Sequence, residues 1–216
     1  MRAAEWLRKR DRCCVRPRRA FPQRPSGDHQ TGVSNGTPLA SPDKTHQRRK
    51  HMEMETLKDL YVEQLKDLYS AEKMIIKGLN KMSKAANHPE LKQAFTRHAQ
   101  MTEKHVERLE RICADLDVSP RGKKCVGMEG LIEEANELIT EKPDPDVLDA
   151  GLIAAAQHVE HYEMAGYGCV RTYARQLGYE DQAEILQTTL NEEGDTDKLL
   201  TQIAETAINL EAERAD

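Results

Sequence analysis

The chain has 216 residues, of which 32% are charged and only 4% aromatic. Its apolar runs fall short of the roughly 18 residues that a membrane-spanning helix needs, so we expect no membrane partner. Scattered thiols of odd number, with no CxxC pair, argue against a disulfide framework and favour a reducing, cytoplasmic compartment. The cysteines are Cys13, Cys14, Cys113, Cys125 and Cys169.

Charge divides the chain into two unlike parts. Residues 1–50 contain 13 Lys and Arg against 4 Asp and Glu, whereas residues 51–216 contain 19 against 33. The basic part lacks apolar periodicity, so we expect residues 1–54 to be a disordered extension. It can be an idle tail translated upstream of Met52 or Met54, a nucleic-acid-binding arm or a targeting peptide. We favour the first, and expect nucleic acid as a partner only through such an arm.

The pattern changes at Thr56, where apolar residues begin to recur every three or four positions. This stripe predicts a first helix from Leu57 to about Ala86. The sequence Asn-His-Pro at 87–89 ends that helix, and its proline suits the first turn of the next one. The second helix should end before Ser119.

The rest of the chain repeats this arrangement after a longer connection. A short helix is predicted at about 128–140, a third long helix at about 146–178, and a fourth at about 180–211. Long helices with short links and one long crossover predict an all-α fold for residues 55–216. We expect a ferritin-like antiparallel four-helix bundle, with the short extra helix in the crossover between helices two and three.

Each predicted stripe contains polar residues at positions that should face the core. Several ionised carboxylates around one axis are costly unless a cation neutralises them. A pair of divalent ions meets this requirement, and an oxygen-rich site with one or two imidazoles suits iron, or manganese, better than zinc. The predicted metal ligands are Glu72, His98, His105, Glu160, Glu163, Glu193 and Asp197.

Some of these residues and their neighbours admit another interpretation. Glu72 can instead lie at the edge of its stripe and pair with Lys73 or Lys77. A histidine beside a ligand more often supports that ligand by a hydrogen bond than binds metal itself, which is our expectation for His161. The residues expected to face solvent or to pack are His158, Tyr162 and Tyr167.

Four segments resemble one known family. They are residues 67–73 (DLYSAEK), 128–136 (MEGLIEEAN), 153–163 (IAAAQHVEHYE) and 176–179 (QLGY). These segments are similar to the YciE/YciF family of ferritin-like proteins, and the resemblance leaves residues 1–50 outside. It implies a dinuclear, di-iron centre, a homodimer, a role in stress responses, and ferroxidase or peroxide-consuming activity. The ligand positions that it implies are Glu72, Glu160, Glu163 and Glu193, with Asp197 one turn further on.

The second helix departs from the family pattern. Family members read His-Leu-Glu-Glu-Thr where this chain reads HAQMT at 98–102, so Gln100 and Met101 replace two glutamates. Glu103 lies about 140° round the helix from His98 and should face solvent. The centre therefore lacks a helix-two carboxylate, and His105, where relatives often carry Gln, is expected to substitute as a ligand.

Two functions of different classes remain open. The first is a metal-dependent oxidoreductase, in which two bound irons are oxidised by O₂ or peroxide. The alternative is a non-enzymatic metal-binding protein, or a metal-free helical scaffold or interaction protein, which the missing carboxylate favours. A third hypothesis, protection of nucleic acid, requires the Arg-rich extension to be part of the mature protein.

Overall fold

The computed structural model describes residues 54–214, and in this range the protein contains helices and no strand. The all-α prediction is therefore confirmed. The predicted disorder of the basic extension concerns residues that lie outside the described range, apart from Met54. The helices are α1 Leu57–Ala85, α2 Pro89–Asp115, α3 Val126–Glu141, α4 Pro145–Gln176, α5 Glu180–Ile203 and, after a π-helical turn at Ala204–Ile208, α6 Asn209–Ala212.

The ends of the helices follow from residues that the sequence places there. Thr56 caps α1 by accepting a hydrogen bond from the Asp59 amide at 3.1 Å, and the Asp59 carboxylate accepts one from the Thr56 amide at 2.9 Å. Proline occupies the first position of both α2 and α4. After α4, Gly178 adopts a φ of +80°, a left-handed conformation that terminates the helix.

The four long helices α1, α2, α4 and α5 pack as antiparallel neighbours. Links of three residues join α1 to α2 and α4 to α5. The Asn87 amide, at the end of α1, donates to the Asp149 carboxylate near the start of α4 at 2.8 Å, so these two helices run in opposite directions. Arg108 of α2 donates to Thr189 of α5 at 3.0 Å and closes the bundle on its other side.

The short helix α3 lies in the crossover and packs against α1 and α4. Two glycines, one on α1 and one on α4, allow α3 to pack closely. A Cβ at Gly78 would meet the Ile132 side chain, and a Cβ at Gly151 would meet Leu138. At its start, the Cys125 thiol lies 2.9 Å from the Tyr162 hydroxyl, and both contact the Asp67 carboxylate. The predicted crossover helix is thus present and is fixed by both apolar and polar contacts.

The core consists of two apolar clusters that occupy opposite halves of the bundle. One is built around Ile75, Phe95 and Leu152, and the other around Tyr61 and Leu109. Between them, in the register of each long helix, lies a layer of buried polar side chains. None of the helices in the described range is both long and apolar enough to cross a membrane.

Candidate metal centre

Six of the seven predicted ligands meet in the buried polar layer. They form two groups, and within each group one donor atom per residue lies within 4.8 Å of the others. Glu193 belongs to both groups, as expected of a residue between two adjacent cation positions. The first group is His98, Glu160, Glu163 and Glu193; the second is Glu72, His105 and Glu193.

Helical spacing brings these residues together. His98 and His105 are seven positions apart on α2, so they lie on one face, two turns from each other. Glu160 and Glu163 are three positions apart on α4, and they face Glu193 of α5. Each long helix therefore contributes at least one donor, in the layer where its apolar stripe is interrupted.

The imidazole nitrogens point into the carboxylates without forming aligned hydrogen bonds. His98 Nε2 lies 2.9 Å from Glu160 Oε1 and 3.7 Å from Glu193 Oε2. His105 Nδ1 lies 2.9 Å from Glu193 Oε1 and 3.5 Å from Glu72 Oε1. None of these contacts has hydrogen-bond geometry, so both nitrogens are left without a hydrogen-bond partner. The imidazole nitrogens and carboxylate oxygens therefore converge, in each group, on a common position that a cation could occupy.

The carboxylates are buried and short of hydrogen bonds. Glu72, Glu160, Glu163 and Glu193 have no exposed surface, and seven of their eight oxygens have no hydrogen-bond partner. Buried polar groups are normally satisfied, because an unpaired one costs about 1–3 kcal/mol, and more when it is charged. Bound cations would satisfy these oxygens and neutralise their charge. The donor set therefore fits metal.

The pKa values reflect this crowding. Burial raises the pKa of Glu160 to about 8 and raises those of Glu72, Glu163 and Glu193 above the usual carboxyl value. Burial alone would lower the pKa of His105, but Glu193 and Glu72 outweigh it and raise that pKa to about 10. The metal-free centre therefore holds protons at neutral pH that metal ions would displace.

Asp197 lies outside both groups. It is partly exposed, one helical turn past Glu193, and the rise of about 6 Å per four residues places it in the next layer. Its Oδ1 lies 3.3 Å from His161 Nε2 and accepts a hydrogen bond from Gln157 at 3.1 Å. His161, predicted to support a ligand, thus contacts Asp197 at the surface of the bundle.

The structure also bears on the expectations for Glu72, Tyr167 and Glu103. Glu72 is fully buried and faces His105 and Tyr167, so the alternative in which it pairs with a neighbouring lysine is wrong. Tyr167 is buried as expected of a packing residue, but its hydroxyl also donates a hydrogen bond to Glu72 Oε1. Glu103 is exposed, in agreement with its predicted solvent-facing position, and α2 supplies no carboxylate to the centre.

Sequence reasoning missed a pair of residues behind His105. Glu192 Oε2 lies 3.0 Å from His105 Nε2, and the Arg108 guanidinium contacts both Glu192 oxygens. Partial burial works against ionisation of Glu192, but Arg108 outweighs it and lowers the pKa of this carboxyl. The signal was present in the spacing, because Arg108 follows His105 by three residues and Glu192 adjoins Glu193.

Comparison with known proteins places this chain in a family. A family profile described as "Domain of unknown function (DUF892)" matches residues 56–213. Protein YciF of Escherichia coli (strain K12) is 45% identical over 163 residues, which cover 75% of this chain and 98% of YciF.

Solved structures agree. The crystal structure of the E. coli stress protein YciF matches with a TM-score of 0.70 and 44% identity, covering 72% of this chain and 99% of that one. YcfI from Rhodopseudomonas palustris matches with a TM-score of 0.68 and 40% identity, covering 70% and 96%. The resemblance seen in the four sequence segments is thereby confirmed, and the chain belongs to the YciF family.

Proposed function

We propose that this protein is a ferritin-like, dinuclear metal protein that binds two iron ions, or manganese, and oxidises iron with O₂ or peroxide. The proposal rests on one observation: two groups of buried donors share Glu193 and leave seven carboxylate oxygens unsatisfied. Carboxylates and two imidazoles favour iron or manganese over zinc, which prefers a closed set of nitrogen and sulfur ligands.

The residues of the centre would have distinct parts in this function. The carboxylates bind and neutralise the cations, and the two apolar clusters on either side exclude bulk water. Bound iron would supply one-electron redox chemistry towards the oxidant. His98 and His105 contribute neutral nitrogen donors, and protons leave the centre as the ions enter.

Several features outside the centre support the proposal. One long crossover between the second and third long helices is the connection found in ferritin-like bundles. The E. coli relative is described as a stress protein, and an iron-dependent consumer of oxidant suits that role. We also propose that the protein forms a homodimer, which the family resemblance implies, and that it is cytoplasmic, which its scattered thiols favour.

A non-enzymatic alternative has its own support. The second long helix provides no carboxylate, because Met101 is partly buried where family members carry glutamate and Gln100 is exposed. The second group then holds only three residues and binds its cation less firmly than the first. On this alternative the protein is a metal-binding or metal-free scaffold, without oxidase activity.

Oxidant consumption distinguishes the two functions. Fe²⁺ is added anaerobically to metal-free protein, O₂ or peroxide is then admitted, and its consumption is followed with an electrode. The oxidoreductase function predicts that O₂ or peroxide is consumed in proportion to bound iron. It also predicts that Glu160→Ala loses most of this consumption. Glu184→Ala, which changes an exposed glutamate on α5, is the matched control and should equal the parent. Iron binding without consumption above the buffer rate would establish the alternative.

A further inference from the structure

The two histidines of the centre are held in different ways. His105 has a contact at each ring nitrogen: Nδ1 faces Glu193 and Glu72, and Nε2 lies 3.0 Å from Glu192 Oε2. The outer nitrogen of His98, Nδ1, has only the Thr196 hydroxyl at 3.4 Å. A carboxylate thus stands behind one histidine and a hydroxyl behind the other.

A carboxylate at Nε2 determines which tautomer His105 adopts. A neutral imidazole has one N–H and one lone pair, and only the nitrogen with the lone pair binds metal. Ionised Glu192 can only accept a hydrogen bond, so it favours the proton on Nε2. When a metal ion displaces the proton on Nδ1, the lone pair of Nδ1 points at Glu193 and Glu72, where the second group would hold its ion.

Glu192 is itself fixed in place. Arg108 donates from Nη1 to Glu192 Oε2 and from Nη2 to Oε1 at 3.0 Å, which is a two-point contact between planar groups. Arg108 Nη1 also donates to the Thr189 hydroxyl at 3.0 Å. Because one carboxylate oxygen meets both the guanidinium and the imidazole, the position of Glu192 sets the orientation of the His105 ring.

We propose that Glu192, held by Arg108, is a positioning residue that fixes the Nε2–H tautomer and the ring orientation of His105, and so makes this histidine a ligand of the second ion. The inference rests on the proposed function, since it concerns one of the two cation positions. Partners of this kind behind a metal-binding histidine change metal affinity by about 10–100-fold when removed.

Anaerobic Co²⁺ titration, followed by calorimetry and by visible absorption, tests the proposal without any turnover. In Glu192→Ala, one of the two ions should bind about 10–100-fold more weakly and the other should be unaffected. Glu192→Gln retains an acceptor oxygen and should recover most of the lost affinity. Glu184→Ala, an exposed change on the same helix, should match the parent, and circular dichroism checks the fold of each variant.

Arg108→Met separates positioning from charge. Removing a positive charge near a cation site strengthens cation binding if charge alone matters. Positioning predicts the reverse, a weakening of the same ion that Glu192→Ala affects. Tighter binding in Arg108→Met, no effect of Glu192→Ala, or Glu192→Gln as weak as Glu192→Ala would each overturn the positioning role while leaving the dinuclear centre intact. Failure of the parent to bind two ions would instead overturn the proposed function.

Discussion

Replacement of Glu163 by leucine should stabilise the metal-free protein while impairing metal binding. Glu163 is fully buried on α4, and neither of its oxygens has a hydrogen-bond partner. Burial, reinforced by Glu72, Glu193 and Glu160, raises its pKa well above the usual value of 4.5. Above pH 4.5 the folded chain therefore holds this carboxyl protonated more fully than the unfolded chain does.

The size of the effect follows from that difference. Keeping a carboxyl of unfolded pKa 4.5 fully protonated at pH 7 costs about 3 kcal/mol, at about 1.4 kcal/mol per pH unit, and this is the upper limit of the cost at Glu163. Leucine binds no proton and has a comparable volume, so Glu163→Leu removes this cost. Repacking around the leucine side chain reduces the gain by up to about 1.5 kcal/mol. At pH 5 the same cost is below about 1 kcal/mol. Because the folded pKa is raised, the advantage of leucine grows with pH above 4.5.

Thermal and urea unfolding in the presence of a chelator measure this prediction. At pH 7 to 8 the free energy of unfolding of the variant should exceed that of the parent by about 1–3 kcal/mol. Each kcal/mol should raise Tm by roughly 2–4 °C. Glu184→Leu makes the same substitution at an exposed position of α5 and should stay within about 0.5 kcal/mol of the parent. A Glu163→Leu protein less stable than the parent at pH 8, or a gain that does not change between pH 5 and pH 8, would refute the reasoning.

Four further predictions concern metal uptake, His105 and two glycines of the bundle. Metal uptake should release protons, and metal affinity should rise from pH 6 to pH 8, because the pKa of Glu160 is about 8 and that of His105 about 10. Calorimetry in buffers of different ionisation enthalpy measures the number of protons released. Metal affinity that does not change with pH would contradict the prediction. His105→Gln should remove one of the two ions by elemental analysis, and loss of both would show that the groups do not bind separately. Gly194→Ala should stabilise α5 by about 1 kcal/mol in urea unfolding, since a Cβ there meets only Met164 Sδ at 3.7 Å. Gly166→Ala, where a Cβ would clash with a side chain at 2.8 Å, should destabilise the protein instead.

Much of the fold could be predicted from the sequence because its signals are local. The stripe after Thr56, Pro89 at the start of α2 and Gly178 after α4 define helix ends through backbone geometry alone. The buried layer was also predictable in outline. A carboxylate within an apolar stripe indicates either that the residue has been assigned to the wrong helix face or that it has a function. Six donors found this way do come together.

What the sequence could not resolve depends on contacts between helices. Asp197 shares the face of Glu193, but the next helical turn places it beside His161, outside the centre. Glu192 of α5 contacts His105 of α2, 87 positions away in the sequence, so the spacing within each helix could indicate the two faces but not the contact between them. Spacing identifies a face of a helix, whereas the depth along the bundle axis is set by packing.

Metal content per chain is the most direct test of the central claim. Metal-free protein is loaded anaerobically with Fe²⁺, freed of excess ion and analysed for iron, alongside Glu193→Gln, which changes the residue that both groups share. The account predicts two ions per chain in the parent and loss of both in Glu193→Gln. One ion or none in the parent, or two ions retained in Glu193→Gln, would contradict a dinuclear centre at this place in the bundle.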